Sequence, residues 1–231
     1  MNQYLNAEQI AAEQRSFLMK VYWWMATGLC VTGIIAMYVV SRQDIVFAIA
    51  SNTILFLGLV IGELALVGYL AFAVKSMRAN TAGLVFLAYA ALNGLTFGVV
   101  LYAFTRESVA STFFMTAGTF ALVSLWGYFT KSDLSSVGHF SMMALFGIII
   151  ASVINIFLRS SGLYWIISYA GVGIFIGLTA YDTQKIKAMN IIGNEGTEED
   201  KKEAIMGALT LYLDFINLFL MLLRIMGRRR D

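Results

Sequence analysis

Seven stretches of about 20 mostly apolar residues, set apart by short polar punctuation, occupy positions 17–40, 53–74, 81–104, 109–130, 140–158, 163–183 and 204–224. That is the length an α-helix needs to cross a bilayer. The chain is 59% hydrophobic and 13% charged over 231 residues, where soluble domains carry about 25% charged residues. It therefore reads as an all-α, polytopic membrane protein. Most connections are short, among them Lys75 to Asn80, Thr105 to Ser108 and Arg159 to Gly162. Loops this tight make successive helices antiparallel neighbours in one bundle. The expected organisation is a polar N-terminal segment (1–16), a seven-helix domain (17–224) and a basic tail (225–231). Proline is absent, so any break in a helix must come from one of the 20 glycines or from polar side chains.

Several classes of function fall away. A net charge of +2 with no basic run interleaved with aromatics gives no footing for nucleic acid. Cys30 is the single cysteine and His139 the single histidine, which removes intrachain disulfides, thiolate metal sites and any site built on two imidazoles. Residues 1–16 lack a short apolar stretch followed by a small-residue cleavage site, so the first apolar run reads as a retained helix.

The connection Thr183 to Glu203 is the exception in length. It mixes lysines and acids with Gly193 and Gly196 and is expected to be a solvated, mobile connector. With the N terminus inside, inner segments hold Arg15, Lys20, Lys75, Arg78, Lys131, Lys185, Lys187, Lys201 and Lys202, and outer loops hold Arg42, Arg106 and Arg159. That split predicts a cytoplasmic N terminus. Seven full crossings place Arg228, Arg229 and Arg230 outside, whereas a re-entrant last segment interrupted at Asp214 would keep them inside. The length of 204–224 favours seven crossings. Gly58/Gly62, Gly94/Gly98 and Gly173/Gly177, each four apart, read as close helix contacts. Trp23, Trp24, Trp126, Tyr164 and Trp165 read as interfacial anchors.

Four ionisable groups fall in or at the margin of the apolar runs: Glu63, His139, Asp182 and Asp214. A charged carboxylate near a bilayer centre costs roughly 2.5–3.5 kcal/mol on insertion scales, so such groups are functional candidates by default. His139, at a helix entrance, reads as interfacial and solvated. Glu63 is either a structural hydrogen-bonding group or a carboxylate lining a cation path. Asp182 and Asp214 lie on the last two helices, which are joined through one side, so their carboxyls can face each other in the inner half of the membrane. Two carboxyls in contact cannot both ionise cheaply; one proton is shared, and the pair titrates as a unit. The ordinary alternative has each aspartate satisfied by Tyr181, Tyr212, Asn217 or Arg224.

Gly-Leu-Thr-Ala-Tyr-Asp-Thr-Gln (177–184) and Leu-Tyr-Leu-Asp-Phe-Ile-Asn-Leu-Phe (211–219) resemble the Bax inhibitor-1 family, also called the transmembrane Bax inhibitor motif family, in its bacterial inner-membrane branch. Asn93-Gly94-Leu95-Thr96 and Glu63 are similar to that family's third-helix and second-helix motifs. The resemblance covers residues 17–224. It implies a seven-helix fold with the last helix central, and a calcium-permeable leak gated by the pair Asp182 and Asp214, with Glu63 on the ion pathway. The family pattern often adds a basic cluster after the second helix, from which an arginine latches the pair. Here only Lys75 and Arg78 stand there, and a lysine lacks the planar fork for a bidentate latch.

The expected function is a pH-sensitive calcium leak channel. Glu63, Asp182 and Asp214 offer the hard oxygen donors that calcium prefers, and Asp182 with Asp214 is the candidate Ca2+ site. No cofactor is expected beyond Ca2+ and H+ as permeant or regulatory ions, and the partners are the lipid bilayer and calcium. Two other readings stand beside it: a non-conducting protein that modulates a membrane protease or another membrane protein, and a proton-coupled transporter of a small solute. An enzyme is not expected, because Gly-x-Ser-x-Gly and His-Glu-x-x-His are both missing.

Overall fold

The computed structural model describes residues 7–230, in eight helices: α1 (Ala7–Ser41), α2 (Gln43–Ser51), α3 (Thr53–Ala73), α4 (Ala79–Tyr102), α5 (Arg106–Phe129), α6 (Ser135–Leu158), α7 (Ser161–Met189) and α8 (Glu198–Met226). All but α2 are long and apolar enough to cross a membrane. The short α2 occupies the semi-apolar stretch after Asp44. Of the N-terminal segment, residues 7–16 are already the start of α1, and residues 1–6 lie outside the described residues.

Local chemistry sets the helix boundaries. The Asn52 side chain caps α3 by accepting from the Leu55 amide at 3.1 Å. Between α6 and α7 the chain reverses in two residues: Arg159 takes the left-handed conformation at φ 49°, and the side chain of Asn155 accepts from the Ser160 amide at 2.9 Å. Ser160 Oγ then accepts from the Leu163 amide, closing the first turn of α7.

Contacts gather the chain into two compact units, one of α1–α4 with Lys187–Tyr212 and one of Phe104–Ile186 with the rest of α8 and its tail. In the first, α1 packs on α4 through glycine. A Cβ on Gly94 would fall 2.8 Å from Ile35 Cβ, and one on Gly98 would fall 2.5 Å from Val39 Cβ. In the second, Phe113 meets Phe215 and Phe219 edge to face, and Phe120 meets Phe215. Ile174, Phe175, Leu178, Leu218 and Met221 complete that core. The glycine expectation needs correction for two residues: Gly58 and Gly173 have no neighbour where a Cβ would sit. Small size at every fourth position permits close approach and does not compel it. Of the most apolar stretch of α8, 67% of residues are buried, against 6% for α3. The outward faces of α3 and α6, with Phe72, Ile61, Phe146 and Phe157 exposed, form an apolar surface that suits lipid and not water.

The connection Thr183 to Glu203 is not the mobile connector expected from its composition. α7 continues to Met189 and α8 begins at Glu198, leaving only residues 190–197 outside helices. These are fastened to the start of α1: Gly193 N donates to Glu13 Oε1 at 2.8 Å, and Ser16 Oγ donates to Glu195. Lys20 Nζ donates to Asp200 Oδ2 at 2.7 Å. Asp200, only 1% exposed, also accepts from the Gly196 amide at 2.8 Å. Glu198 accepts from the Ala79 amide that opens α4. Gly193 and Gly196, at φ 92° and 80°, supply left-handed turns that side chains rarely adopt. Glu195, Glu198 and Asp200, among the charges that suggested solvation, are fastening groups.

α8 is continuous through Asp214, which removes the re-entrant alternative. Beyond it, Thr105 N donates to the Arg228 carbonyl at 2.8 Å, and Phe104 and Arg229 form an antiparallel bridge. The tail thus lies beside the α4–α5 turn.

Two stability outcomes follow. Gly98→Leu drives a side chain into Val39 and lowers the unfolding temperature in detergent, with a cost of about 1–3 kcal/mol for overpacking, while Gly58→Leu leaves it unchanged. Lys20→Met strands the buried Asp200 and costs about 1–3 kcal/mol, whereas Asp200→Asn, which keeps an acceptor for Gly196, costs less. Thermal unfolding of the purified variants, with limited proteolysis at residues 190–197, measures both.

Candidate functional site

Each side chain of the segment 177–184 on α7 has a distinct neighbour. A Cβ on Gly177 would sit 2.5 Å from Ser141 Oγ of α6. Leu178 enters the core. Thr179 donates to the Phe175 carbonyl of its own helix at 2.7 Å. The Ala180 carbonyl lies against Gly127 of α5, and the Tyr181 ring lies against Gly138 of α6, both at separations only glycine allows. Thr183 donates to the Thr179 carbonyl at 2.7 Å and lies 3.3 Å from Ser124 Oγ of α5. Gln184 closes the α5–α6 connection, accepting from the Leu134 amide at 3.0 Å and donating to the Ser132 carbonyl at 2.9 Å. Asp182 stands in the middle of this clamp. It is 7% exposed, and α7 continues for two further turns beyond it, to Met189.

Asp214, on the facing stretch of α8, is 4% exposed. Its Oδ2 is buried and has no hydrogen-bond partner. Asp182 lies within electrostatic reach of it. Three of the groups that might have satisfied the aspartates have contacts elsewhere. Tyr212 OH lies 2.7 Å from Thr32 Oγ1, Asn217 Nδ2 donates to the Leu213 carbonyl at 2.8 Å, and the Arg224 guanidinium lies over the Tyr164 ring. Tyr181 has the ammonium of Lys185 over its face, 5.8 Å from the ring centre. An unpartnered buried carboxyl oxygen costs several kcal/mol in an apolar medium. Here the ionisable neighbour within reach is a second carboxyl.

The first unit holds a separate polar chain. Thr96 Oγ1 lies 2.7 Å from Glu63 Oε1 and 2.9 Å from the Asn93 carbonyl. One hydroxyl hydrogen serves one of these acceptors at a time, so a protonated Glu63 would complete both bonds. Asn93 Nδ2 reaches Tyr89 OH at 3.3 Å, and Asn93 Oδ1 is buried without a partner. Thr32 Oγ1 donates to the Ala90 carbonyl at 2.8 Å, which obliges Tyr212 to donate to Thr32. Glu63 and the motif Asn93 to Thr96 therefore meet. Thr32 and Tyr89 were not singled out by the sequence, since a threonine or tyrosine in an apolar run usually bonds its own backbone or sits at an interface.

The remaining candidates have simpler surroundings. The Lys75 carbonyl accepts from Lys202 Nζ at 3.3 Å, and Arg78 is the extended residue before α4. Neither side chain takes part in an ion pair among those found between described residues. His139 is exposed at the start of the second turn of α6. Among the described residues, no group of three or more histidine, cysteine or acidic side chains could hold a metal ion. Asp182 and Asp214 supply two carboxyls where calcium takes six to eight oxygens.

Seven long apolar helices that enclose carboxyl groups define an integral, multi-pass membrane protein with buried acidic residues. The chain belongs to the Bax inhibitor family: the family model described as inhibitor of apoptosis-promoting Bax1 matches residues 14–231. It is 45% identical to the inner membrane protein YbhL of Escherichia coli, over 96% of this chain and 95% of that protein. An uncharacterised protein of Borreliella burgdorferi is 43% identical, over 94% of each chain. An uncharacterised membrane protein of Streptococcus pyogenes is 34% identical, over 99% of each.

The seat of Tyr181 is testable. Gly138→Val forces the ring away and disturbs the helix turn that carries Asp182, lowering stability by about 1–3 kcal/mol. Tyr181→Ala in the same background restores part of the loss by vacating the space. Thermal unfolding of the two variants and the wild type decides it.

Proposed function

We propose that the protein is a pH-sensitive, calcium-permeable leak channel, gated by protonation of Asp182 and Asp214. The observation that carries this reading is the unpartnered Oδ2 of Asp214, buried on α8 within electrostatic reach of Asp182. Two carboxyls in a low-dielectric interior repel when both are charged, and a single proton relieves that repulsion. A proton is then the cheapest ligand able to change the packing of α7 against α8. Two hard oxygen groups without a full coordination shell suit an ion in transit, because conduction needs binding weak enough to leave. Glu63, on α3 against Thr96, is a further carboxyl on the pathway. Lys75 and Arg78 offer at most a light latch, since an exposed lysine contact is worth about 0–1 kcal/mol.

We place the protein in a bacterial inner membrane with its N terminus in the cytoplasm. The name of the Escherichia coli relative as an inner membrane protein supports the first and the lysine and arginine distribution supports the second.

The test is calcium entry into proteoliposomes that contain only this protein, measured from acidic to neutral pH. Flux that changes with pH is expected. Asp214→Asn, and separately Asp182→Asn, should give a folded protein whose flux no longer follows pH, since the amide keeps the shape and loses the titration. A purified Asp214→Asn protein that still follows pH refutes the paired mechanism. Absence of flux with a stoichiometric copurified partner would favour the non-conducting reading.

Glu63→Gln should lower calcium flux at fixed pH and leave its pH dependence in place, because Glu63 bonds Thr96 and belongs to a different group of helices from the aspartates. An unchanged flux would return Glu63 to a structural hydrogen bond between α3 and α4.

A further inference from the structure

One end of the second unit is far more basic than its sequence spacing suggests. The tail after α8 is held to the α4–α5 turn by the bond from Thr105 N to the Arg228 carbonyl. Ser108 Oγ approaches the same oxygen at 3.4 Å. Gly227 makes this possible: a Cβ there would overlap the Leu223 carbonyl and fall 2.5 Å from Phe104 Cδ1. The strap therefore brings Arg228, Arg229 and Arg230 to Arg106. The Arg224 guanidinium over Tyr164 shows that the α6–α7 turn, with Arg159, is at this end too.

Arg106, Arg159, Arg228, Arg229 and Arg230 are exposed. None of the ion pairs found among described residues uses Arg106, Arg159, Arg228 or Arg229. Glu107 is the acidic side chain described at this end. These guanidiniums sit where spanning helices end, beside Tyr164 and Trp165, which meet edge to face, and aromatic residues of this kind favour the headgroup region. A planar guanidinium pairs with phosphate in bidentate fashion.

We infer that this strap and the two neighbouring turns form a binding surface for the phosphate of anionic lipid headgroups. Helix ends at headgroup depth meet lipid phosphate at far higher local concentration than any soluble anion. The attraction is screened as salt rises.

The full chain in detergent, titrated with phosphatidylglycerol or phosphatidylcholine and followed by native mass spectrometry and thermal unfolding, tests this. Phosphatidylglycerol should be retained in preference to phosphatidylcholine at low salt. R228Q/R229Q/R230Q should weaken that preference by about fivefold per arginine removed without changing the unfolding temperature in phosphatidylcholine. R106Q/R159Q should weaken it in the same direction. Gly227→Leu, which keeps every charge but unseats the strap, should reduce it as well. The inference is overturned if the triple variant keeps its preference, or if K201Q/K202Q at the other end removes as much. It is also overturned if inorganic phosphate stabilises the protein as well as phosphatidylglycerol does.

Discussion

α8 has almost no surface left for lipid. Leu211, Tyr212 and Leu218 are fully buried, and Phe215, Ile216 and Phe219 nearly so. A helix that is apolar on every side belongs in an interior, and one enclosed by protein within a membrane must find partners for its polar groups among its neighbours. Tyr212 finds Thr32 and Asn217 finds a carbonyl of its own helix. Asp214 Oδ2 finds none. The helix that carries it cannot turn the carboxyl outward without exposing its buried aromatic neighbours.

The surrounding helices handle burial in two ways. Around Tyr212, hydroxyl and amide groups from α1 and α4 pass hydrogen bonds along a chain, and the ring is flanked by Phe86 and Tyr89 edge to face. Around Asp182, backbone proximity replaces side-chain bonding: glycines on α5 and α6 admit the backbone and ring of α7, and threonines return their hydroxyls to their own helix. The first arrangement is closed and satisfied apart from Asn93 Oδ1. The second packs backbone and ring around Asp182, with the charge of Lys185 within its reach.

The two ends of the chain's helices differ in the same spirit. Where α7 passes to α8, opposite charges are paired and Asp200 is buried under Lys20. Where the tail returns to the α4–α5 turn, backbone bonds do the fastening, and Arg106, Arg228 and Arg229 take part in none of the ion pairs found among described residues. With 29 residues each, α7 and α8 are about 43 Å long, well beyond the roughly 30 Å hydrocarbon core, so both fastenings lie at or outside the lipid boundary.

Much of this could be read from residues alone. The lengths of the apolar runs determined seven spanning helices, because a backbone in lipid has few other ways to satisfy its amides. Glu63, Asp182 and Asp214 stood out for the same reason, each being costly where it lies. Other features depended on three-dimensional neighbours. Whether residues 190–197 are loose or fastened turned on Glu13, Ser16 and Lys20, some 180 positions away, and composition alone favoured the wrong answer. Whether Gly173 or Gly177 is a contact turned on which face meets α6. Whether Asp214 is satisfied turned on where Tyr212, Asn217 and Arg224 point. Hydropathy is a property of each residue and survives in the sequence. Partnership is a property of pairs, and only the packed helices decide it.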